Sequence, residues 1–162
     1  MTTTDLDLLL GWLDEAYAGP AWHGPSLRVA IRGVDAGTAG WRPAAGRHNI
    51  REIVVHAAYW KAVVRRRLTG EREKAFPRKG RNWFGCPEAR EGPAGAAWRR
   101  DVALLGDEHR RLVRVVSSLD KAALRRRSRG HRQTPLELVR GIAAHDLYHA
   151  GQIQLLKALA RS

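Results

Sequence analysis

Apolar residues recur along this chain at intervals of three and four, and nowhere alternate long enough to suggest a strand. Four segments carry the helical period. The first, TDLDLLLGWLDEAYA, has Thr4 as N-cap and Leu6, Leu9, Leu10, Leu13 and Tyr17 on one stripe. The second opens at Asn49 with Glu52 three residues on, a capping box, and runs to about Leu68 before Gly70. Its apolar face is Ile50, Ile53, Ala57, Trp60, Val64 and Leu68. The third spans about Ala94 to Leu119, with Trp98, Val102, Leu105, Leu112, Val116 and Leu119 inward. The fourth opens at TPLE, with Thr134 as cap, Pro135 at the first helical position and Glu137 closing the box, and continues to about Ala160.

Between these segments lie a Gly/Pro/Trp-rich connection (19 to 48, with a short helical piece near Ser26 to Val34), a Trp/Phe/Cys loop (70 to 93) and an Arg-rich loop (120 to 133). No repeat or composition break divides the 162 residues. The expectation is an all-α protein, one domain over 1–162, built as a four-helix bundle with long irregular connections.

One feature of the fourth helix conflicts with simple packing. At 100° per residue its apolar face is marked by Leu138, Ile142, Ile153, Leu156 and Leu159, yet His145, His149 and Gln152 fall in the same arc. Buried imidazole costs free energy unless its nitrogens find partners. In the second helix His56 stands near the edge of the inward stripe. Two histidines four apart are common and mostly structural, and haem ligation needs facing ligands rather than two from one side. A third inward histidine makes a three-nitrogen metal site the sharper reading, with positions left for water or substrate. Gln152 then stands ready to bond a metal-bound water or orient a ligand.

Composition narrows the setting. The opening residues lack the basic and small-residue signature of a signal peptide, no apolar run approaches the ~20 residues that span a bilayer, and one cysteine, Cys86, rules out an intrachain disulfide. A cytoplasmic protein without a membrane partner is expected. The 29 Lys and Arg against 16 Asp and Glu (net +13) keep a nucleic-acid-binding reading in play. Arg outnumbers Lys 24 to 5, however, as GC-rich coding sequence also produces, and that reading leaves the buried histidines unexplained.

With His56 joined to HDLYHAGQ, the chain resembles the DinB/YfiT-like superfamily. The likeness is carried by WHGPSLRVAI at 22 to 31, by WRPAAGRHNIREIVVHAAYWKAVVRRRLTGE at 41 to 71 and by HDLYHAGQIQLLKAL at 145 to 159. The resemblance implies a four-helix bundle, commonly a homodimer, holding a divalent metal on His56, His145 and His149. Nickel or zinc come first, with iron, manganese, cobalt and copper as further candidates. It also implies a metal-dependent thiol S-transferase or hydrolase, because characterised relatives include S-transferases and a maleylpyruvate isomerase that use bacillithiol or mycothiol. The cosubstrates expected are thus a low-molecular-weight thiol and an electrophile. The alternative is a non-catalytic stress-response bundle that binds metal or small molecules.

Other residues have more ordinary expectations. Trp60 is core or pocket wall, Tyr148 contacts a dimer partner or a carboxylate behind the ligands, and His109 is a core histidine or one that supports a ligand, with a fourth ligand or proton shuttle as the sharper option. His23 approaches the site from a loop or caps a helix, while His48 and His131 are non-catalytic. Cys86 offers a thiolate ligand or redox thiol but has no local CxxC or His partner, and the Arg runs at 65–67 and 125–127 are solvated faces or loop charge. No carboxylate pair is expected on the core faces, so no acidic general base is nominated.

Overall fold

The structure, a computed structural model, describes residues 4–71, 76–85, 94–127 and 132–161. Among them are six α-helices and no strand: α1 (Asp5–Tyr17), α2 (Leu27–Ile31), α3 (Ala36–Gly40), α4 (Ile50–Thr69), α5 (Ala94–Ser117) and α6 (Pro135–Leu159). The four long helices are those marked by the hydrophobic period. Three of them start through the same local chemistry. Thr4, Asn49 and Thr134 each accept from an amide three residues on, and Asp7, Glu52 and Glu137 reach back to the cap amide. Those reciprocal bonds satisfy donors that the first turn otherwise leaves open. Gly70 ends α4 at φ 71°, a left-handed turn that costs glycine little. α5 stops two residues before the expected Leu119, because Ser118 and Leu119 bond to carbonyls only three residues back.

Two packed layers give the chain directions. One joins Leu6, Leu9 and Leu13 to Val64, Leu112, Val116, Val139 and Ile142. The other joins Tyr17 to Ile50, Ile53, Trp98, Leu105, Ala150 and Ile153. α1 and α6 therefore run one way, and α4 and α5 the other. α4 packs on α5 and α6, and α1 on α6 and α5, which makes a four-helix bundle with α1 and α4 across one diagonal. The parallel α4–α5 pair accounts for the long 70–93 connection, which has to return the length of the bundle.

The α1–α4 crossover is pinned by single side chains. Lys157 of α6 donates to the carbonyls of Ala30 (2.9 Å) and Arg32 (3.2 Å), placing a cation at the end of α2. Trp98 Nε1 donates to the Val34 carbonyl at 2.8 Å, and Asn49 Nδ2 to the Gly40 carbonyl at 3.2 Å. Besides the expected helical piece near 26–34, the crossover holds α3, whose AGTAG sequence carries no readable period. Asp35 caps it, accepting from the Thr38 amide at 2.7 Å, and Ala39 docks in the core.

Several expectations change once the helices pack. Fourteen of the 20 residues of α4 are buried, because α4 touches two long helices and the 76–85 loop, so no single stripe describes it. On α6 the buried line is Val139, Ile142, Ala143, Asp146, His149, Ala150, Ile153 and Leu156, while Leu159 is 43% exposed. Its last turn runs past the core that buries the earlier ones. The 65–67 run is not simply solvated: Arg66 is buried, and Arg65 reaches Glu108 at 3.4 Å and Glu71 at 3.0 Å. Arg125 is exposed and pairs with Asp5.

Single carboxylates also enter the core. Asp101, Glu108 and Asp146 are buried, each engaged by a cation rather than by another acid. Arg51 and Arg78 hold Asp101, Arg65 and Arg111 hold Glu108, and Lys61 holds Asp146. Lys61 and Asp146 are both 0% exposed, and Lys61 Nζ also lies 3.3 Å from His109 Nδ1. One ammonium thus ties α4 to α6 and to α5. Breaking such a pair strands the remaining charge, so Lys61→Met lowers the unfolding free energy by about 3–5 kcal/mol. Adding Asp146→Leu removes the stranded carboxylate and recovers most of that loss. Urea denaturation of wild type, single and double variants measures this; a double variant no more stable than the single one contradicts the pairing.

Candidate metal centre

His56 lies two turns into α4, and His145 and His149 occupy successive turns of α6. Antiparallel packing of these helices brings the three rings together. His56 Nε2 and His149 Nε2 each stand 3.1 Å from His145 Nε2, and one ligand atom from each residue lies within 4.8 Å of the others. Two imidazole nitrogens about 2.0–2.1 Å from one tetrahedral ion are about 3.3 Å apart, so the spacing suits a shared first-row metal.

The outer nitrogens decide where the protons reside. His56 Nδ1 lies 2.8 Å from the Asn82 carbonyl, an acceptor only, so the proton belongs on Nδ1. His149 Nδ1 lies 2.7 Å from Gln152 Oε1, and the Gln152 amide donates to the Tyr148 hydroxyl at 3.0 Å, which fixes the orientation of the amide. Both Nε2 atoms therefore carry lone pairs, and both aim at His145 Nε2. One proton on His145 can satisfy one of them and not both. A cation shared by three lone pairs resolves the conflict, and outer-nitrogen partners of this kind orient metal-binding imidazoles. His145 Nδ1 is sealed from solvent with no partner among the described residues.

Electrostatics keep the rings neutral. Burial, the largest cause in each case, pushes His56 below the ordinary imidazole value, His145 down to about 3 and His149 down to about 4. Neutral imidazole is the form that ligates metal.

The wall of the site comes from the loop before Cys86. Trp83 stacks on His56, ring centres 3.9 Å apart, and on His48 at 3.6 Å, so one indole lies between two imidazoles. Asn82 makes its bond to His56 from a left-handed conformation (φ 65°), which asparagine tolerates better than most residues. Its Oδ1 accepts from Trp60 Nε1 at 2.9 Å. Trp60 itself is half-buried and meets His56 and His145 edge-on at 6.3 and 6.4 Å.

Of the other expected residues, Gln152 is engaged with His149. Tyr148 is exposed and supports Gln152. His48 bonds Glu52 at 2.9 Å in an outer layer. His109 belongs to a different assembly on α5, stacked on Tyr17 at 3.7 Å and bonded to Lys61. His23 lies 4.0 Å from Glu15 in a groove beside Arg140, Ala143, Ala144 and Leu147. At 100° per residue those positions face away from His145 and His149, so the loop does not bring His23 to the triad. Cys86 and His131 lie outside the described residues.

Sequence reasoning missed Asn82, Trp83, Lys61 and Asp146. The first two sit in a loop without periodicity, where attention falls on the cysteine. The last two left a signal: each interrupts an apolar face, Lys61 between Ala57, Ala58 and Val64, and Asp146 between Val139, Ile142, Ala150 and Ile153.

A model of the DinB superfamily matches residues 22–153, and the chain belongs to that superfamily. No curated protein and no solved structure matches it. The fold, the family and the histidine cluster are together compatible with a metal-binding protein. No helix among the described residues is long and apolar enough to cross a membrane.

The depressed histidine values set a pH dependence. Unfolded histidines take up protons near pH 6.5, whereas the folded rings resist down to about 4 or 3. Between those values the unfolded chain holds more protons, so stability rises with pH. Metal-free protein should be most stable above about pH 6.5 and lose stability steadily toward pH 4. Denaturation midpoints across that range measure it; a flat profile contradicts neutral burial of the rings.

Proposed function

We propose that His56, His145 and His149 bind one divalent metal, and that the protein is a metal-dependent enzyme acting on a low-molecular-weight thiol and an electrophile. The observation that carries the metal reading is the tautomer conflict: at least two Nε2 lone pairs point at one place, with the outer nitrogens of His56 and His149 committed elsewhere. When bound, the metal supplies a Lewis-acid centre that lowers the pKa of a coordinated thiol or water.

The chain's own residues do the rest. Asn82 and Gln152 hold the proton on Nδ1 of His56 and His149 and aim their Nε2 atoms inward. Trp83 and Trp60 shield the imidazoles and shape the approach to them. Asp101, Glu108 and Asp146 are each held by cations, so none is nominated as a general base. The thiol chemistry rests on superfamily membership, the metal on the geometry. Nickel and zinc lead the candidates because three neutral imidazoles suit both.

Elemental analysis and activity test this reading together. Purified wild type is expected to carry one metal per chain, and His56→Ala, His145→Ala and His149→Ala to lose it. Conjugation of monobromobimane by a small thiol should accompany the metal and disappear on chelation. Stoichiometric metal without turnover leaves a non-catalytic metal- or small-molecule-binding bundle. Absence of metal at micromolar supply in every form contradicts the whole proposal. Nucleic-acid binding, the remaining alternative, predicts steep salt dependence indifferent to the histidines.

The proposed assembly is a homodimer. Leu8 and Trp12 of α1 and Tyr148, Leu155 and Leu159 of α6 are large hydrophobic residues left exposed on two neighbouring helices. Sedimentation should give twice the chain mass for wild type and a monomer for Trp12→Glu/Leu155→Glu. A monomeric wild type at micromolar concentration rules the dimer out.

A further inference from the structure

A cavity of about 840 Å³ opens between α1, α2 and α5, none of which carries a triad histidine. Four arginines surround it: Arg28, Arg32, Arg99 and Arg110. The side chains of Arg28, Arg32 and Arg99 make no ion pair or hydrogen bond among the described residues, while Arg110 pairs with Asp107. Asp14 is the single carboxylate in the lining, and Ile31, Trp98 and Val102 give it an apolar surface.

Two polar groups from the core also reach this space. Lys61, paired with the Asp146 carboxylate, has only hydrogens to offer, so His109 Nδ1 must be the acceptor of the bond between them. The His109 proton therefore sits on Nε2. Burial, the largest cause, holds His109 down to about 3, so the ring stays neutral at pH 7 and its Nε2–H is a donor. That Nε2 and the Tyr17 hydroxyl have no partner among the described residues, yet neither is among the sealed polar atoms. Both residues line the cavity. Burial and nearby Asp146 raise the pKa of Tyr17, so its hydroxyl also remains a donor.

Gly106 adds an independent sign. It stands inside α5, where glycine is a poor helix former, and faces the cavity. A side chain there begins 3.5 Å from the Tyr17 hydroxyl and 3.4 Å from an Arg110 nitrogen. The missing side chain keeps the space in front of these donors open.

We propose that this cavity is a second ligand site, separate from the histidine triad, for a small molecule with an oxyanion on an apolar body. Arginines draw in the anion, Tyr17 and His109 donate to it, and Trp98 with its apolar neighbours packs the body. Carboxylates and phosphate monoesters share the required chemistry.

The test is calorimetry on the full chain with 1-naphthoate, 1-naphthyl phosphate and the neutral 1-naphthalenemethanol. At least one anion should bind about tenfold more tightly than the alcohol, and the tighter one identifies the class. Gly106→Leu should weaken that binding by about tenfold or more, and Arg28→Ala/Arg110→Ala by about fivefold or more. Tyr17→Phe, which removes one donor with little change of shape, gives a loss that misfolding of Gly106→Leu cannot mimic. Affinity should be the same with the triad metal-loaded or stripped. Equal binding of the alcohol, indifference to both Gly106→Leu and Tyr17→Phe, or loss of binding on metal removal would overturn the proposal.

Discussion

At the junction of α4, α5 and α6 a lysine with no solvent exposure bonds a carboxylate on one helix and an imidazole on another. Charges so deep are costly to bury and tolerable only when paired, so the helices must meet in a register that keeps Lys61 on Asp146. Asp146 is the neighbour of His145, and Lys61 lies five residues beyond His56. The register that satisfies the ion pair is therefore the register that brings the imidazoles together. A one-turn slip of α6 would strand both charges and separate the Nε2 atoms.

The triad is then refined from outside. Acceptors at Asn82 and Gln152 set the tautomers, and the indole of Trp83 fills the space beside His56. These supports come from a loop and from the next turn of α6, so the two faces of the centre are built differently. The α4 side depends on a distant loop returning with Asn82 left-handed. The α6 side is self-contained, since His145, His149 and Gln152 share one helical face.

Lys61 also connects the triad region to the cavity between α1, α2 and α5, through His109 and Tyr17. The core of this bundle is thus polar along one line, and each member of the line leans on the next. Hydrophobic layers above and below it supply the burial that makes those contacts strong.

Helix positions and caps were legible in the chain because they rest on local chemistry: Thr4, Asn49 and Thr134 with their returning acids, and apolar spacings of three and four. The inward lean of His56, His145 and His149 was legible for the same reason, as periodicity assigns a face. Periodicity does not say what a face meets. Leu159 shares the stripe but outruns the core, and α4 is buried well beyond its stripe because two helices and a loop enclose it. The pairing of Lys61 with Asp146, the placement of Asn82 and Trp83 over the triad and the removal of His23 to another groove span tens of residues. They follow from how whole helices and loops pack, so only the tertiary structure decided them.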